Sequence, residues 1–216
     1  EIKLSKGIIE CKKEIESNDD IVNKAVINQL HNGTIFSLPH YKEVDLAELL
    51  HHTIPCCEQV RFYKNGADVC SIAVRLSRSF TQKNRILVTG YHGHHPWFSY
   101  LLRPGGTLKD TYPYTTQIPF NNLNAIETEI QQNDVAAIML EVAFTPPDEG
   151  YLENVRNLCD AHNVVLIFDE MWTGFRFAVG GFQEYSGITP DLGLFSKAIA
   201  NGFPLSVIGG KKEIMS

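Results

Sequence analysis

The feature that most constrains this chain is a block of five apolar residues, Val164-Val165-Leu166-Ile167-Phe168, running straight into Asp169-Glu170. A half-buried strand alternates apolar and polar side chains, whereas an unbroken apolar run is buried on both faces. Such a strand belongs in the middle of a mostly parallel sheet covered by helices on both faces, which is an α/β fold. Ligands of these sheets bind beyond the carboxyl ends of the strands. Asp169 falls there.

From about residue 58 onward the sequence alternates strand and helix patterns. Gln59 to Tyr63 reads as a strand, and Lys64-Asn65-Gly66 as the turn after it. Val69, Ile72, Ala73, Leu76 and Phe80 then fall on one face of a helix. Ile86 to Val88 is a strand that leads into Gly90-Tyr91-His92-Gly93, and the run from Val135 to Val142 is apolar except for Glu141. Tyr151 to Asn163 has helical spacing, and short strands at Leu192 to Phe195 and Leu205 to Ile208 flank Lys197. Pro96 to Pro119, rich in Pro, Gly, Thr and Tyr, reads as one long irregular loop. Residues 1–57 carry two helical patterns, Ile21 to Leu30 and Val44 to Leu50. They are expected to form an N-terminal helical segment with part of a small domain, and residues 58–216 the ligand-binding domain.

Composition narrows the function classes. The net charge is −6 and no Lys/Arg run stands out, which argues against a nucleic-acid binder. No apolar stretch approaches the roughly 18 residues of a membrane span. The five cysteines are an odd set without a C-x-x-C pair, so neither a disulfide framework nor a zinc knuckle is expected. A reduced, cytoplasmic protein is the simplest reading.

Four features coincide at strand ends of the expected sheet: the turn Asn65-Gly66-Ala67, Tyr91, Asp169 and Lys197. Lys197 lies among small and apolar residues, and burial makes a lysine amine nucleophilic, suited to Schiff-base chemistry. Read locally, a strand-end lysine with its head in water is the simpler reading. Asp169 needs a cation or strong donors, because an isolated buried charge is costly. A protonated pyridine nitrogen is one such partner; a metal ion or a helix N-terminus is another. Gly66 and Ala67 open a helix, where free N–H groups and the helix dipole favour a phosphate, although many such turns bind nothing. Tyr91 can stack on a flat ring. His92, His94 and His95 lack a spaced cysteine or carboxylate to complete a zinc set, so they read as a solvated cluster and no metal is expected.

Taken together these residues resemble the class III (subgroup II) aminotransferases, in particular the glutamate-1-semialdehyde aminomutase branch. The resemblance runs from about Ile21 to the last residue. It is strongest in Leu166-Ile-Phe-Asp-Glu-Met-Trp-Thr-Gly-Phe-Arg176, Gly180-Gly181-Phe-Gln183 and Pro190-Asp191-Leu-Gly-Leu-Phe-Ser-Lys197. It implies the large domain of a fold-type I transferase with pyridoxal 5′-phosphate as cofactor. Lys197 would carry the cofactor and shuttle the substrate proton, Asp169 would hold the pyridine nitrogen, and Tyr91 would stack on the ring. Asn65, Gly66 and Ala67 would form the phosphate turn, with His92, Glu141 and Met171 completing the cofactor site.

The implied reaction moves an amino group between a small-molecule amino donor and a carbonyl acceptor in a homodimer. An intramolecular aminomutase and a non-catalytic or truncated homologue are the alternatives. Ala67 replaces the usual hydroxyl residue, Val142 the proline after Glu141, and Met171-Trp172 a common Val-Gln. Leu4 to Ser17 lacks the usual strand and glycine-rich segment, and the family's C-terminal domain is expected to be missing from this chain.

Overall fold

The computed structural model describes residues 19–142 and 145–216; Leu4 to Ser17, with Cys11, lies outside the described residues. Two helices open the described chain, α1 (Asp20–Asn32) and α2 (Tyr41–Thr53). They follow the expected helical patterns, and Asp19 caps α1 by accepting from the Ile21 and Val22 amides. Then come β1 (Gln59–Tyr63), α3 (Gly66–Thr81), β2 (Arg85–Thr89), α4 (Pro96–Ser99) and a 3-10 turn at Lys109–Tyr114. β3 (Thr115–Gln117), α5 (Leu123–Ile130), β4 (Val135–Glu141), α6 (Tyr151–His162) and β5 (Val165–Asp169) follow. The chain continues through α7 (Phe182–Ser186), β6 (Leu192–Phe195), a 3-10 turn at Lys197–Ala200, β7 (Ser206–Gly210) and α8 (Lys212–Met215).

The seven strands form one sheet in the order β1-β7-β6-β5-β4-β2-β3. Only β7 runs against its neighbours, pairing antiparallel with both β1 and β6. The remaining pairs are parallel, which gives the mostly parallel sheet the sequence implies. The apolar run of β5 divides as a doubly buried strand must. Val165 and Ile167 enter a core with Val69, Cys70, Ala73 and Val74 of α3, while Leu166 and Phe168 enter a second core with Leu152, Val155 and Cys159 of α6. A third, smaller core joins Leu50 of α2 to Phe195 and Val207. Among the described residues no helix is long and apolar enough to cross a membrane.

Two expectations need correction. Phe80 is 39% exposed rather than part of the inward face of α3. The buried stripe instead runs through Ala67, Cys70, Val74, Ser77 and Thr81, with Val69 and Ala73 beside it. The segment from Pro96 to Pro119 is not one irregular loop, since it contains α4, a 3-10 turn and the edge strand β3. Its order comes from long-range contacts: β3 pairs with β2, and Tyr100 stacks on Tyr112 with ring centres 4.3 Å apart.

Asp191 anchors the doubly buried strand from below. Its Oδ2 accepts the Leu166 N–H at 2.7 Å and meets Arg156 Nη1 at 3.0 Å, while Oδ1 meets Lys211 Nζ at 2.6 Å. Asp191→Ala leaves a buried amide without an acceptor and the half-buried Arg156 without its main counter-charge. The expected loss is about 3–5 kcal/mol of stability, read as a lower urea midpoint. An unchanged midpoint would show that this cluster does not stabilise the fold.

Candidate active site

Four strands end at the same edge of the sheet. β4 closes on Glu141 and β5 on Asp169, which are register partners on adjacent strands. β2 runs into Gly90-Tyr91-His92, β6 into Ser196-Lys197, and α3 begins above them at Gly66. These ends surround a cavity of about 500 Å³. Every residue singled out from the sequence lines it: Asn65, Gly66, Ala67, Tyr91, His92, Glu141, Asp169, Met171 and Lys197.

Asp169 is 2% exposed and well supplied with donors. Met171 N–H donates to its Oδ1 at 3.1 Å, and Cys70 Sγ lies 3.7 Å from Oδ2. The closest contact is His92 Nδ1 to Oδ2 at 2.6 Å. His92 is 1% exposed, so the solvated histidine cluster expected from the sequence is corrected for this residue. Its Nε2 lies 2.8 Å from the Thr89 carbonyl, which can only accept and therefore assigns a proton to Nε2. The Nδ1–Oδ2 contact then requires a second proton, shared between imidazole and carboxylate.

Cys70, His92 and Asp169 also bring three possible ligand atoms within 4.8 Å of one another. Two ligands of a tetrahedral zinc, with bonds of roughly 2.0–2.1 Å, stand about 3.3 Å apart. The shorter 2.6 Å contact is the geometry of a shared proton. Burial pushes the Cys70 thiol well up from its usual value, with the Asp169 charge adding to the effect, so the thiol stays protonated and donates.

Lys197 is half-buried and opens a 3-10 turn with φ 49°, in the left-handed region that few non-glycine residues adopt. Strain of this kind collects at functional sites and persists where surrounding structure enforces it. Its Nζ lies 4.6 Å from the centre of the Trp172 indole. Tyr91, 53% exposed, stands at the rim of the cavity with its ring edge-on to Phe98 at 5.7 Å.

At the opposite end, Asn65 caps α3 by accepting the Asp68 N–H at 3.1 Å. The Gly66 and Ala67 N–H groups lie in the first turn, where no intrahelical acceptor exists. Glu141 Oε2 accepts the Tyr91 N–H at 2.9 Å. A Cβ at Gly90 (φ 82°) would meet that same oxygen at 2.1 Å, so the turn into Tyr91 requires glycine.

A family model, Aminotransferase class-III, matches residues 17–216. The chain belongs to that family. It is 38% identical to the 3-aminobutyryl-CoA aminotransferase of Cloacimonas acidaminovorans over 91% of this chain and 50% of that protein. It is also 38% identical to the glutamate-1-semialdehyde 2,1-aminomutase of Methanococcus maripaludis, over 92% of this chain and 51% of that protein. Among solved structures, an omega-transaminase from Sphaerobacter thermophilus superposes with a TM-score of 0.85 and 32% identity, covering 92% of this chain and 51% of that one. The chain therefore spans about half the length of the relatives it matches, and its sheet has the fold-type I architecture of class III aminotransferases.

Sequence reasoning passed over Cys70, Glu170 and Trp172. Cys70 was within reach, since it lies three and four residues after Ala67 and Gly66 on the same face of α3. Glu170 is fully buried and accepts from Thr173 Oγ1, the Phe182 and Gln183 amides and Gln183 Nε2. It ties the turn after β5 to α7. Only the separate segment Gly180-Gly181-Phe-Gln183 hints at it.

Burial pushes the Glu170 carboxyl up from the usual glutamate range, outweighing the four donors that pull it down. The folded state then holds this proton more tightly than the unfolded chain. Its contribution to stability is greatest below the ordinary glutamate range and declines as pH rises through the folded value. Thermal unfolding of wild type and Glu170→Gln across acid to neutral pH should show the difference moving in the variant's favour as pH rises. A pH-independent difference would contradict this assignment.

Proposed function

We propose that this chain holds pyridoxal 5′-phosphate and forms the reactive part of an aminotransferase acting between an amine or amino acid and a carbonyl compound. One observation carries the reading: the Lys197 amine, the Asp169 carboxylate and the α3 N-terminus face one cavity. Those groups fit a flat ring with a phosphate at one end, a nitrogen at the other and an aldehyde between. When bound, such a cofactor supplies an electron-withdrawing ring and a carbon that takes up the amino group.

The chain's own residues supply the rest. Gly66 and Ala67 offer backbone N–H groups and the positive end of the helix dipole to the phosphate. Ala67 has no hydroxyl to add, and a lost hydrogen bond to a charged group is worth about 1.5–3 kcal/mol, so phosphate binding here relies on backbone. Asp169, oriented by Met171 N–H and His92, would hold the ring nitrogen and favour its protonated form. Tyr91, at the cavity rim, would cover one face of the ring. Lys197 presents Nζ from the end of β6, where it would hold the cofactor and move the substrate proton.

Membership of a family that holds both an aminotransferase and an aminomutase at equal identity favours a second reading, amino transfer within one molecule. Label from an amino donor appearing in a separate acceptor selects the transaminase, and label retained in the same molecule selects the aminomutase. The setting is proposed as a cytoplasmic homodimer. Support comes from four free, buried cysteines among the described residues and from Ile21, Leu30 and Leu49, exposed on α1 and α2.

The purified protein should show a visible absorbance band that borohydride discharges, adding the mass of the reduced cofactor to the peptide containing Lys197. Lys197→Ala should lose that adduct while still binding the phosphate group. An adduct that survives the substitution would remove Lys197 from this role.

A further inference from the structure

Trp172 lines the cavity and has no part in the reaction described above. Its indole centre lies 4.6 Å from Lys197 Nζ, inside the roughly 6 Å at which the negative face of an aromatic ring holds an ammonium. Two rigid backbones produce this meeting. On one side, the turn carrying Trp172 is fixed by Gly174 N–H donating to the Glu170 carbonyl at 2.9 Å and by Arg176 Nη1 donating to the Trp172 carbonyl at 2.7 Å. On the other, the positive φ of Lys197 and the bond from Ser196 Oγ to the Leu205 carbonyl at 3.0 Å set where the lysine leaves the chain. Arg176 approaches the same ring, with Cζ 5.9 Å from its centre. The lysine is the nearer cation.

We propose that Trp172 is a positioning residue that seats the Lys197 ammonium whenever the lysine is not joined to the cofactor. This rests on the reading of Lys197 as the cofactor lysine. Joining Nζ to an aldehyde carbon forms one C=N bond and releases water. An incoming amine that takes over that carbon forms its own C=N bond and expels Lys197 as free amine, and the lysine recovers a proton from the substrate ammonium. A cation–π seat stabilises the separated lysine and not the joined one. Trp172 therefore shifts the balance toward release and holds the protonated Nζ at the cavity wall, and the lysine leaves this seat when it gives up that proton and becomes a free amine.

The test compares wild type, Trp172→Phe and Trp172→Leu as holoenzymes with equal total bound cofactor. Borohydride followed by intact-mass analysis gives the ratio of joined to separated lysine, and a methylamine titration gives the amine concentration that releases it. Both values should rise about tenfold in Trp172→Leu, with Trp172→Phe, which keeps a weaker aromatic face, in between. If Trp172→Leu fails to fold, the Trp-to-Phe comparison decides, with about a threefold rise expected. Values equal to wild type, or equal changes in both variants as from simple loss of packing, overturn the inference and leave the proposed function standing. An absence of adduct on Lys197 in the wild type overturns both.

Discussion

A carboxylate at the end of a doubly buried strand is the constraint around which this site is organised. Asp169 is almost wholly buried, and an unpaired charge there would destabilise the fold by several kcal/mol. The partner comes from the loop after β2, two strands away in the sheet, with only β4 between. That loop reaches Asp169 because Gly90 passes closely over Glu141 at the end of β4, where a side chain would collide. Strand order, one glycine and one buried histidine together turn a liability of the apolar strand into a fixed negative pole.

The lysine side of the cavity is built by a different means. After β6 the backbone enters left-handed conformations at Lys197 and Asn201, followed by Gly202 at φ 91°. For lysine this conformation is worth roughly 1–2 kcal/mol of strain, retained because β6 is held between β5 and β7. Asp169 and Lys197 thus hang from adjacent strands of one sheet. Their separation is set by strand spacing, and loop conformation adds only the final direction of Nζ.

Much of this could be read from the sequence where the signal was local. The β5 run, the strand ends at Asp169 and Lys197 and the helix opening at Gly66 are statements about neighbouring residues, and the fold honours them. What escaped depended on partners distant in the chain. Tyr-His-Gly-His-His looks hydrophilic until a carboxylate from another strand buries the first histidine. Thr115-Thr116-Gln117 has no apolar pattern and becomes a strand only by pairing with β2. Leu123 to Ile130 forms α5 on the apolar positions Ile126 and Ile130, too short a repeat to stand out. In α1 the pattern identified a helix but not its partner, since no residue of it is buried.

The cavity holds two carboxyl groups in register on adjacent strands, and they differ in how they are stabilised. Burial pushes the Glu141 carboxyl up from the usual glutamate range, and the neighbouring Asp169 charge adds to the shift against the pull of the Tyr91 N–H, His92 and Lys197. Like charges at adjacent strand ends cannot both ionise cheaply. Asp169 has the shared proton of His92, the Met171 N–H and the Cys70 thiol; Glu141 has the Tyr91 N–H. Glu141 has fewer donors, and burial together with the neighbouring Asp169 charge moves it toward neutrality. Under the proposed function, a cationic ring entering this cavity would pair with Asp169, while Glu141, tied to the backbone of Tyr91, would border it.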